Sequence, residues 1–390
     1  MDLDSLLLQE EIISAKRLQE LLHEHPEAAY QETFTTGKIL EKAKACRNAL
    51  LSKPGKQLEI IELGMETGLV CHLNAGRSET IALRADIDSV ETETGQKHLC
   101  GHDYHTAALI GAMAYLCRTE ADLPFNVLFI FQPAEEPTDG AKTMLAHGLM
   151  EKLPQLPVRL FGIHNRPELP VGKIAVHQGA LMAEKNNYRV TFKGKAGHGG
   201  TPHHCIDPIT AAAQFILAMQ SVVSKNVDPF DNAICGVFSV HSGTEVNNPP
   251  DDAVLTGTIR SLSHEAFLRM IERVECIAKS CAACYECAAD LEWIPLVPLL
   301  YNSMEMTGPA YRAAEKTVGE ENITDTKPTL ASDDFAVFGQ NMPSFYYWVG
   351  SGPSEPGQAG GKPWHDPGFC VAPGYLNIAI PLLIRAALGV

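Results

Sequence analysis

A helix-length run with almost no polar residue, Thr106 to Cys117, and the apolar run Phe125 to Phe131 that follows it restrict this chain more than any other feature of its sequence. A strand that is apolar on both faces must be covered on both, the condition of a strand inside a parallel sheet with helices above and below it. The pattern recurs on either side. Leu58 to Leu63, Leu69 to Leu73 and Thr80 to Arg84 read as short strands, and Val158 to Ile163 returns as a buried strand after a helix at Gly140 to Met150. Glu11 to Leu22 and Thr35 to Ala45 carry apolar residues at helical spacing. Strands alternating with helices predict an α/β unit whose central sheet is mixed but largely parallel.

The character of the chain changes near Glu184. Tyr188 to Phe192 alternates, Pro208 to Ser224 is amphipathic, Ala233 to Val240 and Ala253 to Arg260 alternate with polar residues, and a helix over Ser263 to Cys284 precedes a strand near Leu291 to Ile294. This reads as an inserted α+β unit with an antiparallel sheet covered on one face. Helix returns at Pro309 to Val318 and strand at Met342 to Val349, followed by a Gly, Pro and Ser rich loop over Gly350 to Lys362. A chain of 390 residues also outgrows one ordinary core. The expected division is 1–183 with 296–390 as one domain and 184–295 as an inserted lid or dimerisation domain.

Residues with metal-binding or acid–base chemistry gather where strands end. Cys100-Gly101-His102-Asp103-Tyr104-His105 stands where a loop enters the alanine-rich helix, and Cys and His two apart around a glycine can both face one ion. Glu135 and Glu136 follow directly on the strand Phe125 to Phe131; one carboxylate of such a pair can bind metal while the other moves a proton. His164 follows the strand Val158 to Ile163, and His365 follows the long loop before the last helix. Strand ends of an α/β sheet are where such folds place their sites.

These stretches, with others, are similar to the aminoacylase and carboxypeptidase G-like dinuclear metallopeptidases, in their amidohydrolase branch, which takes in indole-acetyl-amino-acid hydrolases, hippurate hydrolase and N-acetyldiaminopimelate deacetylase. The matching segments are His25-Pro26-Glu27 with Glu32, Leu83 to Asp88, Cys100 to Ala107, Phe131 to Glu136, Ile163 to Val176, Lys193 to Ile209, Gly243 to Arg260, Ser332 to Phe335, and His365. They run in order over nearly the whole chain. The resemblance implies Cys100, His102, Glu136, His164 and His365 as ligands of two divalent ions, with zinc, manganese, cobalt or nickel all compatible with the donors. It implies Glu135 as the base that takes a proton from water and passes it to the leaving amine, and His198 as the group that stabilises the tetrahedral oxyanion across a dimer interface. Asn247 and Arg260 are implied to grip the substrate carboxylate, and Asp86 and Asp88 to orient the imidazoles. His105, one helical turn from His102, would hydrogen-bond within the site. Two features depart from the branch: the segment between Asp88 and Cys100 is short, and Tyr104 stands where Gly is common.

The expected activity is metal-dependent hydrolysis of N-acyl amino acids or related conjugates. A dipeptidase or aminopeptidase on the same centre is the nearest alternative, and a silent binding protein a more distant one. Lys and Arg number 31 against 47 Asp and Glu, a net charge of −16 that repels a phosphate backbone. No run reaches the roughly 18 apolar residues of a membrane span, and Met1 to Glu11 lacks the pattern of a secretion signal, so a cytoplasmic homodimer or higher oligomer without membrane or nucleic-acid partners is expected. Eleven cysteines suit reduced thiols. Cys281, Cys284 and Cys287 are spaced to share a helix face but read as small apolar side chains, and His72, His147, His177 and His241 as surface or core residues.

Overall fold

The computed structural model describes residues 2–51, 55–355 and 360–389. The chain divides into two compact units, one of Met1–Gly179, Tyr301–Lys327 and Asp333–Val390, the other of Ala180–Leu300 with Pro328–Ser332. The short return of Pro328–Ser332 to the second unit, where Met182 pairs with Thr329 and Ala183 N donates to Ala331 O, has no signal in the sequence.

The first unit is built on a sheet of eight strands: β1 (Gln57–Ile61), β2 (Leu69–Asn74), β3 (Thr80–Asp86), β4 (Asn126–Gln132), β5 (Arg159–Pro170), β6 (Ile174–Ala175), β7 (Ile323–Thr324) and β8 (Ser344–Gly352). Their order is β1-β2-β4-β3-β5-β8-β6-β7. The four central strands β4, β3, β5 and β8 are parallel, whereas β1 and β2 run antiparallel at one side and β6 pairs antiparallel to β8 at the other. Every residue of β3, β4 and β8 is buried, as two-sided apolar strands require. The helices Ser5–His23, Thr33–Leu50, His102–Arg118 and Tyr375–Leu388 contribute to the same hydrophobic core as these strands. Because the central strands are parallel, their carboxyl ends come out at one edge. Asp86 pairs with Gln132, Arg84 with Gly162 and Trp348 with His164, so Asp86, Glu135, Glu136 and His164 are all delivered there.

The second unit has a four-stranded antiparallel sheet in the order Ala233–Ser242, Asp252–Ser261, Glu184–Lys193, Ala288–Val297. The helices Pro208–Asn226 and His264–Cys284 pack with it into a core of its own that includes Tyr188, Phe192, Phe215, Phe267 and Met270. Asp207 caps the first of these helices at Ile209 N with Pro208 in its first turn, and Ser263 caps the second at Ala266 N.

Four local expectations are corrected. The alanine-rich helix starts at His102, four residues before Thr106, because Gly101 at φ 87° turns the chain into it. Strand β5 continues through His164 to Pro170, so His164 lies within a strand. The helix anticipated over Gly140 to Met150 breaks at Gly148, which sits at φ 81°. Cys287, moreover, lies beyond the helix that ends at Cys284, with Glu286 at φ 59° between them, so the three cysteines share no helix face. No helix among the described residues is long and apolar enough to cross a membrane.

Candidate metal centre

The site grows from the start of the His102–Arg118 helix. A Cβ on Gly101 would meet Asn165 Nδ2 at 2.4 Å, so only glycine allows Asn165 to reach back to the Cys100 carbonyl. Cys100 Sγ then lies 3.5 Å from His164 Nε2, whose other ring nitrogen is held by the Asn165 carbonyl at 2.8 Å. His102 Nδ1 is 3.1 Å from both the carbonyl and Oδ1 of Asp88, which leaves Nε2 turned the other way. That Nε2 is buried and has no hydrogen-bond partner.

Facing it are the two glutamates. His102 Nε2 stands 3.9 Å from Glu135 Oε2 and 3.9 Å from Glu136 Oε1, beyond hydrogen-bond reach of either. Glu136 Oε1 is likewise buried without a hydrogen-bond partner and lies 3.5 Å from His365 Nε2. His365 is exposed and adopts φ 66°, its backbone tied through N to the Leu99 carbonyl at 2.9 Å. Donor atoms of Cys100, His102 and His164 lie within 4.8 Å of one another, as do those of Cys100, Glu136 and His365, and those of His102, Glu135 and Glu136. The first unit thus brings together all six of its residues anticipated from the sequence.

A second layer fixes these donors from behind. Asp88 holds His102 with Oδ1 and accepts Glu136 N with Oδ2 at 2.9 Å. Asp86 takes His105 Nδ1 at 2.7 Å on Oδ1 and Arg84 Nη1 at 2.8 Å on Oδ2. His105 Nε2 is 3.1 Å from Asn165 N, so both of its ring nitrogens are occupied and it acts as a bracket. Arg84 is fully buried and also reaches Gln132, Asp333 and Asp334, which ties the ends of β3 and β4 to the start of the Phe335–Gly339 helix. Burial, then the negative charge of Asp333 and Glu136, pushes the Glu135 carboxyl well above its usual range. For Glu136 burial raises the carboxyl, but the neighbouring His365 and His102 imidazoles outweigh it and leave the group lowered. The stacked Trp348 and Trp364, 5.5 Å apart, wall off His164 on one side, and Arg166 lies 4.8 Å over the Trp348 ring. The wall carries no local sequence motif, and although the Arg84 network joins matching segments, nothing in the sequence shows that they meet.

The remaining three anticipated residues belong to the second unit. His198 is exposed on the loop after the Glu184–Lys193 strand, and its Nδ1 accepts from Gly200 N at 2.9 Å, which leaves Nε2 as the protonated, free donor. Asn247 is brought beside it: Gly199 N donates to the Asn247 carbonyl at 2.9 Å. Arg260 stands apart on the sheet, with Nη1 donating to the Leu330 carbonyl at 2.9 Å.

Parallel strands that deliver an acid pair and a cysteine–histidine set to one edge are the build of a hydrolase that supports its chemistry on metal. Residues 82–379 match the peptidase family M20/M25/M40. The chain is similar to N-acetylcysteine deacetylase of Bacillus subtilis, 36% identical over 92% of this chain and 92% of that protein. It is also similar to N-acetyldiaminopimelate deacetylase of Priestia megaterium, 34% identical over 86% and 88% respectively. Among solved structures, a dinuclear metal binding peptidase of the M20 family from Bacillus subtilis superposes with a TM-score of 0.78 at 31% identity, covering 97% of this chain and 98% of that one. The chain belongs to the peptidase family M20/M25/M40, and it is a hydrolase acting on amides.

Proposed function

We propose that this protein hydrolyses the amide bond of N-acyl amino acids at a centre of two divalent cations held by Cys100, His102, Glu136, His164 and His365. The observation that carries the reading is a pair of buried, unpartnered acceptor atoms, His102 Nε2 and Glu136 Oε1, 3.9 Å apart, on two residues that Asp88 holds, His102 through its ring Nδ1 and Glu136 through its backbone N–H. A buried polar atom without a partner costs free energy, and a cation between these two removes that cost for both. The wider donor set of thiol, imidazole and carboxylate suits zinc, and its nitrogen and oxygen members also suit manganese, cobalt or nickel. The cations would supply Lewis-acid activation of water and of the scissile carbonyl.

Glu135 stands beside this set without belonging to it. It takes the proton from water as the water attacks the amide carbonyl, and returns that proton to the departing amine. His198, with Nε2 free to donate, stabilises the oxyanion that develops on the carbonyl. Asn247 and Arg260 hold the carboxylate of the amino-acid half, Arg through its planar fork. In this reading 184–295 acts as the lid and the dimerisation domain around the catalytic parts 1–183 and 296–390. The edge strand Ala233–Ser242 supports a homodimer formed through that domain, because it exposes Phe238 by 72% beside Val240. All eleven cysteines are free thiols, which fits a reducing, cytoplasmic setting.

Metal analysis of purified protein, combined with a panel of N-acetyl, benzoyl and longer-chain acyl amino acids scored by amine release, tests the proposal. About two ions per chain and chelator-sensitive release from N-acyl substrates are expected. Fewer than one ion per chain in active enzyme contradicts the centre. Hydrolysis confined to dipeptides with a free amine would assign the dipeptidase reading instead.

A further inference from the structure

The segment His25-Pro26-Glu27 with Glu32 lies outside the donor set, yet its two carboxylates divide a task that one would ordinarily perform. Glu32 occupies the N-cap position of the Thr33–Leu50 helix and makes no capping hydrogen bond with its side chain. Glu27 does the capping from five residues earlier, Oε1 accepting from Phe34 N and Oε2 from Thr35 N, both at 2.8 Å. The Glu27 carbonyl also accepts from Ser89 N and Ser89 Oγ, at 3.0 and 2.7 Å, next to Asp88.

Released from the helix, the fully buried Glu32 reaches across 102 positions of sequence to accept the N–H of Ala134 at 2.8 Å. Ala134 sits at φ 54° and Thr138 at φ 61°, two non-glycine residues in the left-handed region within the turn that presents Glu135 and Glu136. Such a conformation persists only where its surroundings impose it. On the far side of the turn Gly140 N donates to the Ala134 carbonyl at 3.0 Å, and a Cβ at 140 would lie 1.7 Å from the Pro133 carbonyl oxygen. Ala134 is therefore pinned through both its N–H and its carbonyl, with Glu32 supplying the only side-chain contribution among these bonds.

We propose that Glu32 is a positioning residue for the carboxylate pair: by holding the Ala134 N–H it fixes the left-handed kink that aims Glu135 and Glu136 at the donor cluster. The inference rests on the reading of Glu135 and Glu136 given above. Aspartate is a strong N-cap residue but is shorter than glutamate by one carbon–carbon bond, about 1.5 Å, so Glu32→Asp preserves or improves the helix start while losing contact with Ala134. Glu32→Gln keeps an acceptor oxygen at full reach.

Steady-state kinetics on the fastest N-acyl amino acid of the panel, at saturating metal, with thermal melting in parallel, separates these roles. Glu32→Asp is expected to lower kcat about tenfold or more with KM within about threefold and Tm within a few degrees, while Glu32→Gln keeps kcat within about threefold. Glu32→Asp with unchanged kcat, or Glu32→Gln impaired as much as Glu32→Asp, overturns the proposal. Glu135→Gln measured alongside keeps the two readings apart. If it is fully active the reading of the carboxylate pair fails; if it is inactive while Glu32→Asp is unimpaired, only the inference fails.

Discussion

Two groups of histidines in this chain are secured in different ways. In the first unit His102, His105 and His164 each have a ring nitrogen taken by a buried group, Asp88, Asp86 or the Asn165 carbonyl, and little freedom remains. In the second unit His198 is exposed and takes its hold from the backbone N–H of Gly200 two residues away, on a loop joined to Asn247 through main-chain atoms. Bonds to buried partners fix a donor to the tolerance a cation demands, whereas a bond to a neighbouring N–H on an exposed loop selects a tautomer and leaves the ring to meet whatever ligand arrives. Substitution in the first group should therefore register as lost metal, and in the second as lost turnover alone.

The sharpest contrast is His102→Ala, which removes a donor present in three of the five clusters found among the described residues and should abolish both metal retention and nearly all turnover, as read by metal analysis and amine release. His198→Ala should leave the metal content unchanged and reduce kcat about a hundredfold, the scale of one oxyanion donor; loss of metal in that variant would break the comparison. Sedimentation showing a strict monomer with full activity would remove the trans role of His198. Asp88→Asn touches no substrate in this account, yet it should weaken metal affinity about tenfold or more by loosening His102 and Glu136 together, measurable by competition with a chelator. Smallest of all, Cys284→Ser should change metal content and turnover by less than about twofold, since Cys284 is exposed and belongs to none of the donor clusters found among the described residues.

Sequence pattern exposed the sheet because β3, β4 and β8 are buried along their whole length, and a strand buried on both faces cannot be disguised. It also exposed Cys100, Glu135 and Glu136, which follow directly on or beside such runs. The path of β5 past His164 carries Pro167 and Pro170, which cannot donate to a ladder; the strand tolerates them where its pairing with β8 shifts register between Gly350 and Gly352. Proline misled at Pro309, which lies inside a helix that starts at Met304. The left-handed φ of Ala134 and His365 leaves no trace in residue type, since neither is glycine. Arg84 gives no local sign of its partners Asp333 and Asp334, which lie some 250 positions away and meet it only once the sheet has formed.

The central claim is that two adjacent carboxylates do different work, Glu136 holding metal and Glu135 moving a proton. Metal content and turnover of Glu135→Gln and Glu136→Gln, measured side by side, test it most directly. Glu135→Gln should keep about two ions per chain while kcat falls about a hundredfold or more, because Gln copies the shape and cannot carry the proton. Glu136→Gln should lose part of its metal and regain activity as metal is added, since an amide oxygen is a weaker donor than a carboxylate. If Glu135→Gln loses metal while Glu136→Gln keeps both ions and loses only turnover, the two roles are reversed and the account is wrong.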